Sequence, residues 1–515
     1  MAWGSRCRRG GGIGNVEILS NLATGFGAAG TLQNLGFALI GCLLGTLIGV
    51  LPGIGPIPTI AILLPITFGL DPLSSLVMLA GIYYGAQYGG STTSILVNMP
   101  GEASSIVTCI DGHQMAKQGR AGAALGVSAL GSFFAGCVGT LFICAFAPPL
   151  AAIAQQFNSP DYFSLMVLGL LTAVVLAHGS VVKAIAMILL GLLFGLVGTD
   201  VNSGATRYTF GVSVLWDGLD FLPLVIGMFG VVEIIRNLEQ GDVHRTAIGA
   251  RLRDLWPNMK DFHESWRSVL RGTAIGSILG ILPGGGVVLA AFAAYTIEKK
   301  VAKDPSRFGK GAIEGVAGPE SANNSAAQTS FIPLLTLGLP SNAVMALMMG
   351  AMMIQGIQPG SAVMTSRPDL FWGMVASMWI GNLMLVVINL PMIGIWVKLL
   401  SLPYRLLYPA ILLFCVIGVY STNNNPVLMV FTAGFALFGY IVMRFGCEPA
   451  PLVLGFILGP LMEENLRRSL VLSRGDPMIF LQRPISAVLL GLSAIVVALI
   501  ILPAFRRTRE EAFQE

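Results

Sequence analysis

Long apolar stretches without a charged residue constrain the fold of this chain most. Residues 31–51, 122–147 and 484–504 are three of them, and each reaches the roughly 20 residues that cross a bilayer as a helix. Charged residues make up only 11% of the sequence, whereas an ordinary soluble chain contains about 25%. The sequence therefore predicts an all-α polytopic membrane protein and argues against a soluble enzyme with one large core.

The apolar segments form two groups on either side of a polar stretch. Segments 57–70 and 286–298 are too short to cross a bilayer alone, which indicates broken or re-entrant helices. The first group lies at about 31–51, 57–70, 73–97, 122–147, 161–178, 181–199 and 219–235. The second group lies at about 269–283, 286–298, 331–357, 370–398, 405–421, 426–443, 448–462 and 484–504.

The polar stretch divides the chain into two halves. Basic residues gather in this and the other connections rather than in the apolar segments, as in loops that stay on the cytoplasmic side. We predict an N-terminal extension over 1–16, a first transmembrane repeat over 17–235, a polar linker loop over 236–268, a second transmembrane repeat over 269–505 and a polar C-terminal tail over 506–515.

Two motifs occur once in each half. Residues 45–55 read "GTLIGVLPGIG" and residues 276–286 read "GSILGILPGGG". In the same order, "STTSILVNMPGEAS" at 91–104 resembles "AQTSFIPLLTLGLPSNA" at 327–343, with one proline of each aligned. Chance similarity between glycine-rich apolar helices is the alternative, but two ordered pairs favour an internal repeat. Corresponding interruptions in two halves are typical of a transporter binding site.

The interrupted segments supply free backbone groups and polar side chains. A helix start exposes N–H groups that attract anions, and a helix end exposes carbonyls that coordinate cations. The four motifs contain no arginine, so an anion there would be held by helix starts and neutral donors. Close helix packing is the alternative explanation for the glycines. The residues predicted to bind substrate are Gly53, Gly55, Ser91, Thr92, Thr93, Asn98, Gly101, Gly284, Gly286, Asn323, Asn324, Ser325, Ser341 and Asn342.

Two acids lie close to these motifs. Glu102 and Glu320 are candidates for coupling transport to an ion, because acids inside a membrane are costly and usually functional. Each also lies just after a proline, so capping the start of a helix is the alternative role. The sequence contains neither a hydrolase motif nor a phosphate-binding loop. We predict no enzyme activity, no cofactor and no metal site, and a gradient of Na⁺ or H⁺ as the energy source.

Five stretches carry a resemblance to a known family. They read "GTLIGVLPGIGP", "YYGAQYGGSTTSILVNMPGEASS", "DGHQMAKQGRAGAALG", "GVAGPESANNSAAQTSFIPLLTLGLPSNAVMALMMGAMMIQGIQPG" and "EPAPLVLGFILGPLMEENLRRSL". Together they resemble the large membrane subunit of the tripartite tricarboxylate transporters, over about residues 17–505. The first residues, "MAWGSRCRRGGGIGN", look foreign to that pattern.

The resemblance implies a multi-pass protein of the bacterial inner membrane that imports tricarboxylates such as citrate, or related carboxylates, by secondary active transport. Its partners would be a periplasmic solute-binding protein, a small membrane subunit of about four helices, the lipid bilayer and the small carboxylate substrate, with no nucleic acid. It also implies inverted repeats, whereas the residues themselves leave inverted and parallel repeats open. The alternative function is an ion or anion channel of related helical-hairpin architecture.

Overall fold

Helices make up almost all of the regular structure in the described chain. The computed structural model describes residues 13–51, 55–176, 180–200, 203–240, 248, 254–282, 286–400 and 404–501. Two strands of two residues each, Gly198–Thr199 and Thr206–Arg207, pair antiparallel. The prediction of an all-α polytopic membrane protein is confirmed. Among the described residues, the helices long and apolar enough to cross a membrane are Leu32–Val50, Ala103–Ala154, Phe221–Glu239, Pro368–Asn389 and Val427–Arg444.

Twenty-three α-helices are described. In chain order they are α1 (Ile13–Ala29), α2 (Leu32–Val50), α3 (Pro56–Thr67), α4 (Pro72–Val97), α5 (Ile106–Met115), α6 (Ala121–Ala154), α7 (Ser159–Leu176), α8 (Val181–Gly195), α9 (Phe221–Val225), α10 (Val232–Gln240), α11 (Met259–Leu279), α12 (Gly286–Val301), α13 (Glu314–Thr329), α14 (Phe331–Leu337), α15 (Ala343–Ile354), α16 (Ser361–Ser366), α17 (Pro368–Asn389), α18 (Ile393–Leu399), α19 (Tyr404–Asn423), α20 (Val427–Arg444), α21 (Ala450–Leu472), α22 (Ile479–Gln482) and α23 (Pro484–Ile501). Turns of π-helix, Ala116–Arg120 and Ile226–Val231, join α5 to α6 and α9 to α10.

Most predicted segments form helices within a few residues of their expected bounds. Segment 331–357 instead divides into α14 and α15, because the chain leaves the helix at Gly338 with a left-handed backbone (φ 69°). The connection 236–268 is partly helical, since α11 begins at Met259. The sequence does not predict α13, whose composition is too polar to stand out as a membrane segment. The division into repeats stays a prediction.

Helices α4 and α13 form the buried centre of the described structure. Every residue of α4 from Leu73 to Leu96 is buried, and so is every residue of α13 from Gly315 to Thr329. Helix α4 packs against α2, α17 and α3, while α13 packs against α11, α6 and α12. The polar residues of α13 are therefore surrounded by other helices rather than by lipid, which is where polar side chains of a membrane protein are tolerated.

Three glycines of α2 lie directly against the backbone of α4. A Cβ atom at any of them would come closer than 3.0 Å to a backbone carbonyl of α4, a separation that real Cβ atoms essentially never show. Small residues of this kind let membrane helices approach closely. Close helix packing therefore explains the motif glycines Gly45 and Gly49. The contacts join Gly41 to Met78, Gly45 to Ile82 and Gly49 to Ala86.

The same stripe of contacts recurs between α11 and α13. A Cβ atom added at any of three glycines of α11 would lie within 3.0 Å of a backbone carbonyl of α13. Each of these glycines follows its counterpart in α2 by the same number of residues. Their partners in α13 are also at one constant offset from those in α4. This correspondence of six contacts supports the predicted repeat. The contacts join Gly272 to Gly318, Gly276 to Ala322 and Gly280 to Ala326.

Candidate functional site

Two tight turns, which we call the tips, lie at the C-terminal ends of α4 and α14. The first tip, residues 98–102, follows α4, and the second tip, residues 338–342, follows α14. Both begin with a left-handed residue and pass through a proline to an extended N-cap residue. The repeated motif predicted a matched pair, and both tips begin and end with the same backbone conformations. The N-cap residues are Glu102 and Asn342.

The first tip contacts α13 through the carboxylate of Glu102. Asn323 donates from Nδ2 to Glu102 Oε1 at 3.0 Å, and Ser104 donates from Oγ to the same oxygen at 2.5 Å. Glu102 is half-buried and is the N-cap residue of the turn Ala103–Ser105. Asn323 is 1% exposed, and its Oδ1 has no hydrogen-bond partner within the described residues. A predicted coupling residue and a predicted binding residue thus meet in one contact.

The second tip lies against α4. Asn342 caps α15 by accepting the backbone N–H of Met345 at its Oδ1 (2.9 Å), and its buried Nδ2 has no partner in the described part of the chain. The phenol of Tyr83 lies near the Glu102 carboxylate of the first tip as well as beside Asn342, Gln87 and Ser330. Gln87 is completely buried, and neither its Nε2 nor its Oε1 has a partner among the described residues. The sequence analysis missed Tyr83 and Gln87.

Glu320 lies in the middle of α13 and is bound by hydroxyl groups from three other helices. Ser91 of α4 donates to its Oε2 at 2.5 Å, and Ser128 of α6 donates to the same oxygen at 3.2 Å. Thr108 of α5 donates to Oε1. The expectation that Glu320 caps a helix is wrong, because Pro319 before it is also inside α13. Its carboxylate instead links α13 to its three neighbours.

A narrow cavity lies next to Glu320. Ser128, which donates to the Glu320 carboxylate, also lines this cavity. The cavity therefore reaches the hydroxyl shell of the buried acid but not the two tips. Its lining residues are Tyr88, Thr92, Leu125, Ser128, Ala129, Asn389, Leu390 and Ile393.

Metal-ligating side chains are scattered rather than clustered in the described residues. Those residues contain no group of three or more His, Cys, Asp or Glu side chains placed to hold a metal ion. Buried thiols such as Cys42 and Cys144 lie among apolar side chains, where cysteine behaves as a small hydrophobic residue. The site is therefore built from carboxylate, amide and hydroxyl groups.

Comparison with known proteins places this arrangement in a family. Residues 35–454 match the model of the tripartite tricarboxylate transporter TctA family. The chain belongs to this family. The resemblance predicted from the five sequence stretches is confirmed, and the chain is a multi-pass membrane protein of a transporter family rather than a member of an enzyme family. No solved structure matches the chain.

Two relatives come from Agrobacterium vitis. The "Uncharacterized 52.8 kDa protein in TAR-I ttuC' 3'region" is 58% identical over 504 residues, which are 97% of this chain and 99% of that protein. The "Uncharacterized protein in TAR-II ttuC' 3'region" is 61% identical over 242 residues, which are 47% of this chain and 99% of that protein. The similarity to the first relative therefore extends over nearly the whole TctA-family chain, including both tips.

Three predicted binding residues of this TctA-family protein hold helices together. Asn324 donates from Nδ2 to Ser132 Oγ of α6 at 2.7 Å. Ser325 donates to the carbonyl of Thr273 of α11 at 3.0 Å. Ser341 donates to the carbonyl of Ser330 at 3.1 Å and so anchors the second tip to the end of α13. The structure gives all three a partner within the protein.

The predicted glycines have packing roles where the structure describes them. A Cβ atom at Gly101 would come closer than 3.0 Å to both Gly90 and Gly49, and one at Gly286 would clash with the carbonyl of Leu279. Gly55 has φ 63° and lies beside Gly101, so the break after α2 and the first tip are neighbours. Two further predicted residues, Gly53 and Gly284, lie outside the described residues.

The polar residues of the "STTSILVNMPGEAS" stretch have separate environments. Ser91 is bound to Glu320, and Thr92 lines the cavity while donating to the Tyr88 carbonyl of its own helix at 3.2 Å. Asn98 takes the left-handed position that ends α4, and its side chain is exposed. Left-handed backbone of this kind is one that asparagine tolerates well. The structure therefore does not bring Asn98 together with the buried residues of the tips.

Thr93 satisfies a carbonyl at the break after α2. Its hydroxyl donates to the carbonyl of Val50, the last residue of α2, at 2.8 Å. Both residues are buried. No other hydrogen bond to the Val50 carbonyl is found among the described residues. A helix end inside a protein needs such a partner.

Thr93→Val is expected to destabilise the TctA-family chain by about 1–3 kcal/mol, the cost of a buried carbonyl without a partner. The measurement is the thermal unfolding midpoint of the purified chain in detergent. Thr140→Val is the matched control, because Thr140 is equally buried and its hydroxyl donates only to the Gly136 carbonyl of its own helix. Equal midpoints for the two variants would contradict the role of Thr93.

Proposed function

We propose that this chain is the large permease subunit of a secondary-active importer for tricarboxylates or related carboxylates. In this proposal a periplasmic solute-binding protein delivers the substrate, a small membrane subunit completes the complex in the bacterial inner membrane, and a Na⁺ or H⁺ gradient supplies the energy. The TctA family match supports the transporter class.

The burial of α13 is the observation that carries the proposal. The part of α13 from Gly315 to Thr329, which contains Glu320, Asn323, Asn324 and Gln328, is buried throughout in a membrane protein. Placing so many polar groups away from water is costly unless they bind something or one another. Two of their polar atoms, Asn323 Oδ1 and Gln328 Oε1, have no partner within the described chain. Unsatisfied polar groups beside two broken helices are what a buried polar substrate requires.

A carrier agrees with the tips better than a channel does. The tips are closed by protein contacts, since Gly101 is packed between Gly49 and Gly90 and Ser341 is bonded to Ser330. A channel would need a continuous polar path past these contacts. A carrier instead exposes a closed site to one side at a time.

Uptake by vesicles that contain all three subunits tests the proposal. Labelled citrate and smaller dicarboxylates are offered with the binding protein, and Na⁺ and H⁺ gradients are imposed separately. We expect saturable uptake that depends on one gradient and shows counterflow of unlabelled substrate. Flux that rises linearly with substrate and lacks counterflow would favour the channel, and the absence of any carboxylate flux would overturn the proposal.

A further inference from the structure

The exposed charges of helices α11 and α12 are all basic. In α11 the exposed charged residues are Lys260 and Arg267, with His263 between them. In α12 they are Lys299 and Lys300, close to the C-terminal end of the helix. The outer face of this helix pair, which we call the basic face, therefore presents positive charge only.

Every acid of these two helices is already paired with an arginine. Asp261 and Glu298 are buried, and the Glu298 carboxylate also accepts the hydroxyl of Ser268 at 2.6 Å. These carboxylates therefore do not neutralise the exposed cations, which make no ion pair within the described residues. The pairs are Asp261 with Arg120, Glu264 with Arg307 and Glu298 with Arg271.

The ion pairs also bring the basic ends of the two helices to one level. Glu298 of α12 lies beside Ser268 of α11, and Arg307, beyond the end of α12, reaches Glu264. Lys299 and Lys300 directly follow Glu298, so they lie at the height of the α11 segment that contains Arg267. Because basic residues gather in connections on the cytoplasmic side, this end of the helix pair faces the cytoplasm.

The rest of the outer face of α11 is apolar. Exposed apolar side chains recur along it every three or four residues, which places them on one side of the helix. The guanidinium of Arg267 lies over the Trp266 ring at 5.3 Å, and tryptophan is enriched where membrane meets water. The helix has 21 residues and is therefore about 30 Å long, the thickness of a hydrocarbon core. The apolar residues are Met259, Phe262, Trp266, Leu270, Ala274 and Ile278.

A phospholipid matches this order of groups along the helix. It carries its phosphate at one end and apolar chains over the remaining length, whereas a protein helix would need an acidic residue at this one level. Anionic lipids of the cytoplasmic leaflet attract Lys and Arg at the membrane surface. The planar guanidinium of Arg267 is suited to two hydrogen bonds with a phosphate group.

We propose that the basic face of α11 and α12 is a binding site for an anionic phospholipid of the cytoplasmic leaflet. Lys260, Arg267 and Lys300 bind the phosphate headgroup, and the apolar side chains from Phe262 to Ile278 lie along the acyl chains. The site does not depend on which solute the chain transports. Because α11 packs closely on the polar helix α13, the bound lipid also supports that helix from outside.

Thermal unfolding of the purified chain in detergent tests the site, with phosphatidylglycerol or phosphatidylcholine added. We expect phosphatidylglycerol to raise the unfolding midpoint at about 10-fold lower concentration than phosphatidylcholine does. In the double variant Lys260→Gln/Arg267→Gln the phosphatidylglycerol concentration for a half-maximal shift should rise by about 10-fold or more, because charge-assisted hydrogen bonds to phosphate are lost. Native mass spectrometry of the same samples counts the bound lipids.

Two control variants separate the site from general effects of charge. Arg468→Gln/Arg474→Gln removes the same charge from two exposed residues at the end of α21 and should leave the lipid dependence unchanged. Lys260→Arg/Arg267→Lys keeps both charges and should keep the preference for phosphatidylglycerol. The unfolding midpoints without lipid show whether each variant is folded.

Four results would overturn the proposal. Equal half-maximal concentrations for the two lipids would remove the preference for an anionic headgroup. An unchanged response to phosphatidylglycerol in folded Lys260→Gln/Arg267→Gln protein would remove these cations from the site. The same shift with inorganic phosphate alone would show anion binding without a lipid. A lipid-free dimer that this double variant abolishes would assign the basic face to a second copy of the chain.

Discussion

Gly45→Val is expected to remove nearly all of the folded protein from the membrane. A Cβ atom at Gly45 would lie far inside contact distance of the Ile82 backbone, so the clash is with main chain and not with a side chain that can turn away. Gly85 makes the reciprocal contact with the backbone of α2 at Cys42. Relief of the clash requires α2 and α4 to separate along their whole length. Overpacking costs about 1–3 kcal/mol even where side chains can adjust, and the total stability of a domain is about 5–15 kcal/mol.

The matched control lies in the same helix. Gly36→Val introduces the same side chain at a glycine of α2 that has nothing within 4 Å of its added Cβ atom, so its abundance should equal that of the unchanged chain. Gly276→Val, the equivalent change in α11, should behave like Gly45→Val, because its Cβ atom meets the backbone at Ala322. The measurement is the amount and thermal midpoint of protein extracted from membranes. Normal amounts of Gly45→Val protein would show that the two helices are not this close.

The sequence predicts the apolar helices well because their signal is physical and local. A stretch such as α2 (Leu32–Val50) is uncharged over its whole length, and no structure other than a helix satisfies its backbone in lipid. The same rule fails for α13 (Glu314–Thr329). Its acid, amide and hydroxyl side chains make its mean hydropathy too low for it to be predicted as a membrane segment. Its burial comes from close contacts with α11 and α6, and tertiary contacts of this kind cannot be seen in one sequence.

The sequence predicts where the turns of the candidate site lie, but it does not predict which residues contact those turns. The repeated proline located both tips, since a proline followed by small or polar residues ends one helix and begins the next. The glycines were expected to leave amides free, but at the start of α3 two of the first three positions are Pro56 and Pro58, which have no N–H group to offer. Tyr83 and Gln87 escaped notice because they lie inside an apolar helix, and only the fold shows that they reach the second tip.

Glu320→Leu is expected to lower the stability of the chain by about 2–6 kcal/mol. In the unchanged chain the hydroxyls of Thr108 and Ser128 both donate to the Glu320 carboxylate. The change leaves each hydroxyl buried without an acceptor, which costs about 1–3 kcal/mol of stability per hydroxyl. Ser91 loses less, because its hydroxyl also donates to the Gln87 carbonyl of its own helix at 3.0 Å. Glu314→Leu is the control in the same helix, since Glu314 pairs with the exposed Arg307 and such pairs contribute about 0–1 kcal/mol. Equal thermal midpoints for the two variants would contradict this role.

The contrast between Glu320→Gln and Glu102→Gln decides which acid couples transport. An amide at position 320 keeps a carbonyl oxygen that can accept two of the three hydroxyls, so we expect normal abundance and unchanged dependence of uptake on the Na⁺ or H⁺ gradient. Glu102→Gln should lower that dependence. Glu320 is enclosed and its oxygens already have hydroxyl donors, whereas Glu102 is half-buried beside an unpartnered carbonyl oxygen. An ion must arrive and leave in every cycle, which an enclosed and satisfied carboxylate resists. Loss of gradient dependence in Glu320→Gln at normal abundance would therefore place the coupling acid at the centre of α13 instead of the first tip.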